Sequence, residues 1–128
     1  MTWKQKRAVI ELFNMLNETY DAVWLHHGDC EGADSQAHAE ARRLGWNIHL
    51  HPPTDLKKRS FCDYDEKSKP RKYLDRNSDI VKRSSLMVAT PKEDHEIIRS
   101  GTWSTVRKAT AAKHDMFVIM PNGKARMT

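Results

Sequence analysis

Apolar residues recur along the N-terminal segment with the period of an α-helix. Val9, Leu12, Phe13 and Leu16 stand at positions i, i+3, i+4 and i+7, so they share one face of a helix predicted over residues 3–17. Alanine and leucine repeat at the same spacing over residues 33–44, and a glycine follows where helices commonly end. Shorter helices are predicted over residues 74–83 and 102–113.

Short apolar runs fall between these helices. They cover residues 22–28, 46–53, 86–90 and 116–120, and each is closed by glycine or proline. Strands that alternate with helices predict a parallel sheet covered on both faces. We therefore expect residues 1–128 to form a single α/β domain of three layers, with a mainly parallel sheet of about four strands. The charged segment over residues 54–72 has no clear period and is predicted to be a long loop.

The composition of the chain limits the classes of binding partner and the cellular compartment that we expect. The chain has 128 residues, a formal net charge of +5 and a mean hydropathy of -0.79. The charge suits an anionic partner such as a nucleotide, a phosphosugar or a nucleic acid. The two cysteines form no disulfide framework, and the N-terminal segment is too charged for a signal peptide. No run of about 18 apolar residues is present, so we expect a cytoplasmic protein with no membrane partner.

The first candidate ligand loop is GDCEGAD, residues 28–34, which joins the first strand to the second helix. Gly28 and Gly32 allow a sharp bend or a close approach of a ligand to the backbone. Asp34 can cap the following helix, and Asp29 and Ala33 belong to the same loop. Ligands of parallel sheets bind outside the carboxyl ends of the strands, where this loop lies. The local pattern supports a ligand loop and an ordinary strand-to-helix turn equally.

The second candidate is RSGTW, which comprises Arg99, Ser100, Gly101, Thr102 and Trp103 and opens the fourth helix. The N–H groups of a helix start, its dipole and the Arg99 guanidinium together favour a phosphate. A plain helix cap by Ser100 or Thr102 is the alternative for the hydroxyl groups. For Trp103, stacking on a base or sugar and packing in the core are both open.

A third candidate is the pair formed by Arg76 and Asn77, near the start of the third helix. Arginine matches a phosphate through two parallel N–H groups, and asparagine can bind a ribose or fix a loop. Because surface arginines are common, this pair alone is weak support for a site.

Histidine and cysteine are concentrated around the first two strands, at His26, His27, Cys30, His49 and His51. His49 and His51 share one face of a predicted strand. The spacing HHxxC is not a recognised zinc pattern, and no CxxC supports it. The sequence therefore predicts no metal and no cofactor. A catalytic Cys–His pair is disfavoured because nothing places Cys30 beside a base.

Taken in order, HHGDCEGAD, HPP, YLDRNSDIVKRSSLMVATP and RSGTWSTVRKA resemble the SLOG superfamily, over about residues 2–123. That superfamily includes the Lonely Guy phosphoribohydrolases, the DNA-processing A proteins and YspA-type nucleotide-binding proteins of bacteria and phages. The resemblance implies a Rossmann-like fold and a nucleotide or nucleotide-derived ligand. Among such ligands, it favours compounds derived from adenine or NAD, including those of the ADP-ribose type. Gly101, Thr102 and Thr105 would hold phosphate, because RSGTW takes the place of the GGxGT loop. Arg76 falls near the arginine that those enzymes use to cleave an N-glycosidic bond.

One departure from the enzymes bears on activity. They carry a glutamate after the GT of the phosphate loop, whereas no carboxylate follows Gly101 and Thr102 here. We therefore expect a sensor or a sequestering protein, and a phage protein that sequesters a defence signal fits this pattern. An N-glycosidase acting on nucleoside monophosphates is the second hypothesis. A module that binds single-stranded nucleic acid is the third.

A second departure concerns the N-terminal end. Relatives usually open with a strand and a glycine-rich turn before a segment like MTWKQ, so we expect the first strand to be missing here. In relatives this strand lies inside the sheet. Its two neighbours would then either pair with each other or leave a gap. Since a gap exposes unpaired backbone groups, we expect a homo-oligomer of two or more chains.

Overall fold

The structure is a computed structural model that describes residues 1–127, and its elements follow α/β order. The helices are α1 (Trp3–Thr19), α2 (Ala33–Arg43), α3 (Tyr73–Arg83) and α4 (Gly101–Ala111). The strands are β1 (Trp24–His27), β2 (Asn47–Leu50), β3 (Glu66–Lys67), β4 (Leu86–Ala89), β5 (Asp115–Ile119) and β6 (Ala125–Met127). Every predicted helix and strand is present, with ends displaced by at most three residues.

The strands form two small sheets instead of the single sheet of about four strands that was predicted. β1, β2 and β3 are parallel in that order, while β5 pairs parallel with β4 and antiparallel with β6. The prediction missed β3 and β6 because both are very short and fully exposed, so neither carries an apolar run. Within residues 1–127, β1 and β4 do not pair with each other. The direct pairing of these two strands, one of the two expected outcomes, is therefore not formed.

Two apolar clusters hold these elements together. One joins α3 and α4 to β4 and β5 and includes Met87, Trp103 and Val118. The other joins α1 and α2 to β1 and β2, and Val88 and Ile119 from the second sheet pack into it. The two sheets therefore share a core although no backbone hydrogen bonds connect their strands.

Helix α1 is fixed to this core by the side chain of Gln5. Thr2 and Gln5 form a reciprocal cap at the start of α1, in which each side chain accepts a hydrogen bond from the other residue's backbone N–H. The Gln5 amide nitrogen then donates to the carbonyls of Pro91 and Ile119, at 2.8 and 3.0 Å. α1 is thereby anchored beside the carboxyl ends of β4 and β5. None of the helices in residues 1–127 combines the length and apolar character needed to cross a membrane.

Candidate functional site

The carboxyl ends of β1 and β2 meet at the side chain of Arg76, from the first turn of α3. One guanidinium nitrogen of Arg76 donates to the carbonyl of Gly28 at 2.5 Å and to that of His51 at 3.2 Å. Its Nε donates to the amide oxygen of Asn77 at 2.8 Å. Arg76 is 5% exposed. The structure thus brings together three of the predicted site residues, Gly28, Arg76 and Asn77.

The Arg76 guanidinium is buried without a carboxylate partner. No Asp or Glu oxygen in residues 1–127 lies within 4.0 Å of it, although seven arginine–carboxylate pairs form elsewhere in these residues. Its second terminal nitrogen has only the sulfur of Cys30 as a neighbour, at 3.8 Å, and the ring of Tyr73 covers one face. A buried cation is costly unless it is paired. The site therefore offers an anion one donor that is engaged here by a weak sulfur acceptor alone.

Gly28 has no Cβ because Arg76 occupies that space. A Cβ built at Gly28 would lie 2.6 Å from the guanidinium carbon of Arg76 and 3.0 Å from a carboxylate oxygen of Asp34. The guanidinium cannot move aside freely, since it is held by two carbonyls. The role assigned to Gly28 from sequence, a close approach to the backbone, is thus met here by a side chain of the protein itself.

We expect Gly28→Ala to lower the free energy of unfolding by about 2 kcal/mol, because the added methyl group overpacks the buried Arg76. Urea denaturation of the variant and the parent measures the difference. In an Arg76→Ala background the same substitution is expected to cost less than about 0.5 kcal/mol, since the space is then free. An equal cost in both backgrounds would show that the contact with Arg76 is not the cause.

Asp34 does not cap helix α2, contrary to the prediction. The N-cap of α2 is Gly32, with φ +88°, and no side chain bonds to the helix start there. Asp34 lies inside the first turn, one residue after Ala33, and its carboxylate accepts a hydrogen bond from the N–H of Cys30 at 3.2 Å. The loop bends at Asp29 and Gly32, both with positive φ, and this bend directs Asp34 back toward the strand end. Asp34 therefore stabilises the loop.

Asp29 is fully buried and joins the loop after β1 to the long segment between β2 and α3. Its carboxylate accepts hydrogen bonds from Arg59 Nε at 2.6 Å and from the N–H of Cys62 at 2.9 Å. Burial alone would raise the pKa of the Asp29 carboxyl, but these two donors outweigh it and hold the pKa below its ordinary value. The sequence placed Arg59 only in the charged loop predicted over residues 54–72, so this ion pair was not predicted. Asp29 is consequently occupied by the protein itself.

The RSGTW segment begins α4 as predicted, with Ser100 as its N-cap. The Ser100 hydroxyl accepts a hydrogen bond from the N–H of Trp103 at 3.3 Å, and Thr105 donates to the carbonyl of Gly101. The Trp103 side chain packs in the core beside Val106, so the structure favours core packing over ligand stacking.

Arg99 and Gly101 are exposed at the start of α4, and Thr102 is half-buried. In residues 1–127, no side-chain hydrogen bond or ion pair connects RSGTW to the Arg76 cluster. The connection is indirect, through the packing of α3 on α4 and a bond from Lys108 Nζ to the carbonyl of Leu74. The predicted site residues thus form two groups, one around Arg76 and one at the start of α4.

Two surface cavities, of about 370 and 300 Å³, lie elsewhere. The larger is lined by Trp103, Arg107 and Arg126 among others, on the outer side of α4. Neither has Gly28, Arg76 or any of residues 99–102 in its lining. These two cavities are therefore separate from the strand-end groups.

The structure also groups histidines that the sequence alone did not bring together. His26, His49 and His51 form one cluster, and His27, His38 and Cys62 form another. Burial, reinforced by neighbouring positive groups, lowers the pKa of His26 to about 4 and that of His51 to about 3. The spacing of His49 and His51 predicted that these two rings share a face. The third ring, that of His26, joins them only because β1 pairs with β2.

Comparison of the chain with protein-family models, with curated proteins and with solved structures gave no match.

Proposed function

We propose that this protein binds a nucleotide or a nucleotide-derived anion at the carboxyl ends of its strands, as a sensor or a sequestering protein. The observation that carries the proposal is the buried Arg76 guanidinium, which has no carboxylate partner in residues 1–127 and whose second terminal nitrogen donates a long, weak hydrogen bond to the sulfur of Cys30. A buried guanidinium without a carboxylate favours phosphate, because a bond from a charged donor to an anionic oxygen is stronger than the bond to sulfur that it would replace. The net charge of +5 and the resemblance to SLOG proteins support the same class of ligand.

The start of α4 supplies the second phosphate-binding element of this proposal. The N–H groups of Gly101 and Thr102 have no partner in residues 1–127, and Arg99 is exposed beside them. Free N–H groups and the helix dipole make such a terminus favourable for an anion. A ligand with two phosphates or two ends, such as ADP-ribose, has the chemistry to contact both groups of residues.

A Rossmann-like arrangement of three layers is part of the proposal. It is supported by the alternation along β4, where Met87 and Ala89 pack with α3 and α4, whereas Val88 packs with α1 and α2. Successive side chains of a strand point to opposite faces, so helices lie against both faces of β4. In folds of this kind, ligands bind at the carboxyl edge of the sheet.

We expect Arg99→Ala to weaken binding of ADP-ribose or AMP at least about tenfold, since a charge-assisted contact contributes roughly 1.5–3 kcal/mol. Titration calorimetry with both compounds measures the change, with circular dichroism to confirm folding. Lys113→Ala removes a charge just beyond the other end of α4 and is the matched control, which should bind like the parent. An Arg99→Ala variant that is folded and binds as tightly as the parent would remove Arg99 from the site.

The enzyme alternative has less support than ligand binding. The first turn of α4 holds no acidic residue, and the two carboxylates that could substitute for the missing glutamate are engaged. Asp29 is held by Arg59, and Asp34 accepts from the N–H of Cys30. Chromatography can measure the release of free adenine from AMP. Release by the parent protein that is absent in Arg76→Ala would favour the glycosidase alternative. Oligonucleotide binding that falls steeply with salt would favour the nucleic-acid alternative.

A further inference from the structure

Three imidazole rings are stacked on one face of the β1–β2 pair. The parallel register places His26 opposite His49, and His51 follows directly after β2, two residues beyond His49 and on the same face. The ring centres are 4.4 Å apart for His49 and His51, 5.0 Å for His26 and His49, and 5.2 Å for His26 and His51. One ring nitrogen from each residue lies within 4.8 Å of one nitrogen of the other two. The spacing is thus set by the backbone register.

The hydrogen bonds of this cluster leave one buried ring nitrogen without a partner in residues 1–127. Nδ1 of His26 and Nε2 of His51 are 2.9 Å apart, so a single proton connects them in neutral rings. The remaining Nδ1 of His51 is buried and has no partner in residues 1–127. An unpartnered polar atom in the interior is costly, and a bound cation at the cluster would remove part of that cost.

His49 is oriented in the manner of a metal-binding histidine. Its Nδ1 lies 3.1 Å from a carboxylate oxygen of Glu66, which can only accept, so Nδ1 carries the proton. The lone pair of a neutral His49 is then on Nε2, which accepts from the hydroxyl of Ser68 at 2.7 Å. A carboxylate that fixes the ring through its far nitrogen is the usual support of a histidine ligand.

The charges around the cluster are mixed. Arg83 from α3 lies close enough to lower the pKa of His26 and His51, and it opposes a cation. Glu66 from β3 and Asp79 from α3 act in the other direction, although Asp79 also pairs with Arg71. Because burial is the main cause of the lowered pKa values, His26 and His51 are unprotonated at neutral pH, which is the form that binds metals.

The second histidine group lacks these features. The N–H of Asp29 donates to Nδ1 of His27, so the His27 proton is on Nε2 and is donated to Nδ1 of His38. Nε2 of His38 in turn donates to the carboxylate of Asp63 at 2.6 Å. Every nitrogen in this chain of bonds has a partner, and binding a metal through His27 would leave two donors facing each other. This group therefore stabilises the loop.

We propose that His26, His49 and His51 bind one divalent transition-metal ion of the zinc type. Imidazole nitrogen suits zinc, nickel and copper among the available ions. Three protein ligands leave a fourth position for water or an added anion. The partial exposure of His26 gives the ion a route to the cluster.

The test uses untagged protein, dialysed against a chelator and titrated with zinc chloride in competition with a chromophoric chelator. The expected result is one equivalent of zinc per chain, with a dissociation constant on the order of 1 μM or tighter. His49→Gln and His51→Gln are each expected to weaken binding about 100-fold, and Glu66→Gln at least about tenfold. His38→Gln, from the second histidine group, is the matched control and should bind zinc like the parent.

A dissociation constant weaker than about 100 μM, or an equal loss in His38→Gln, would overturn the proposal. If a variant does not fold, NMR of the histidine ring nitrogens in the parent protein still tests the proposal. Zinc should shift the signals of His26, His49 and His51, and a shift confined to other histidines would refute the assignment.

Discussion

Arg59→Met is expected to lower the free energy of unfolding by about 3–5 kcal/mol. The substitution keeps most of the side-chain length but leaves the carboxylate of Asp29 buried without its partner. Within residues 1–127, Cys62 then remains as the donor to that carboxylate. Because Asp29 lies in the loop after β1, the loss is expected to loosen both this loop and the segment that carries Arg59.

Urea denaturation at pH 7 measures the effect, and a double variant identifies its cause. Asp29→Asn combined with Arg59→Met removes the buried charge and should recover about half of the loss. Lys58→Met is the matched control, because this neighbouring exposed lysine forms no side-chain ion pair in residues 1–127; it should change stability by less than about 0.5 kcal/mol. A single Arg59→Met variant as stable as the parent would show that the ion pair contributes little.

The second large effect is a loss of stability in mild acid. The pKa of His26 is lowered to about 4 and that of His51 to about 3, from an ordinary value of 6.5. Between pH 6.5 and these lowered values the unfolded chain takes up protons that the folded chain does not, so acid favours unfolding. Stability should be highest above pH 6.5 and should fall by roughly 3 kcal/mol by pH 4.

Asp29 acts in a lower range of pH. Its pKa is lowered from 3.8 in the folded protein, so its contribution is present above that value and is lost only as pH falls below it. Measurements between pH 6.5 and 4.5 therefore isolate the histidines from Asp29.

Unfolding in urea at several pH values, with a chelator present, tests this expectation. The double variant His26→Gln with His51→Gln should show a distinctly flatter dependence on pH than the parent. His95→Gln is the comparison, since His95 is exposed on a loop outside the cluster. A parent protein with equal stability at pH 6.5 and pH 4.5 would contradict the prediction.

Secondary structure was largely readable from the sequence because it depends on local spacing. The apolar period of α1 and the serine before α4 each specify an element through neighbours within a few residues. Two strands, β3 and β6, were not predicted for the same reason. β3 and β6 have exposed side chains and only two and three residues, too few to show an apolar period, so only their partner strands make them strands.

The candidate site depended on tertiary structure at each important contact. Arg76 was identified as a site residue from sequence, but its burial against Gly28, 48 residues away, was not. The pair of Asp29 with Arg59 spans 30 residues and gives an aspartate of the expected ligand loop a structural role.

What the sequence by itself determined is therefore the order of helices and strands and the place of the loops at the strand ends. Those features follow from hydrogen bonds and burial within short segments. Only the tertiary structure decided which buried polar groups lack a strong partner in residues 1–127, such as the Arg76 guanidinium, which has no carboxylate beside it, and Nδ1 of His51. Whether a buried polar group has a partner depends on contacts between chain segments that are far apart in sequence. The local pattern of residues does not specify which of those segments come into contact.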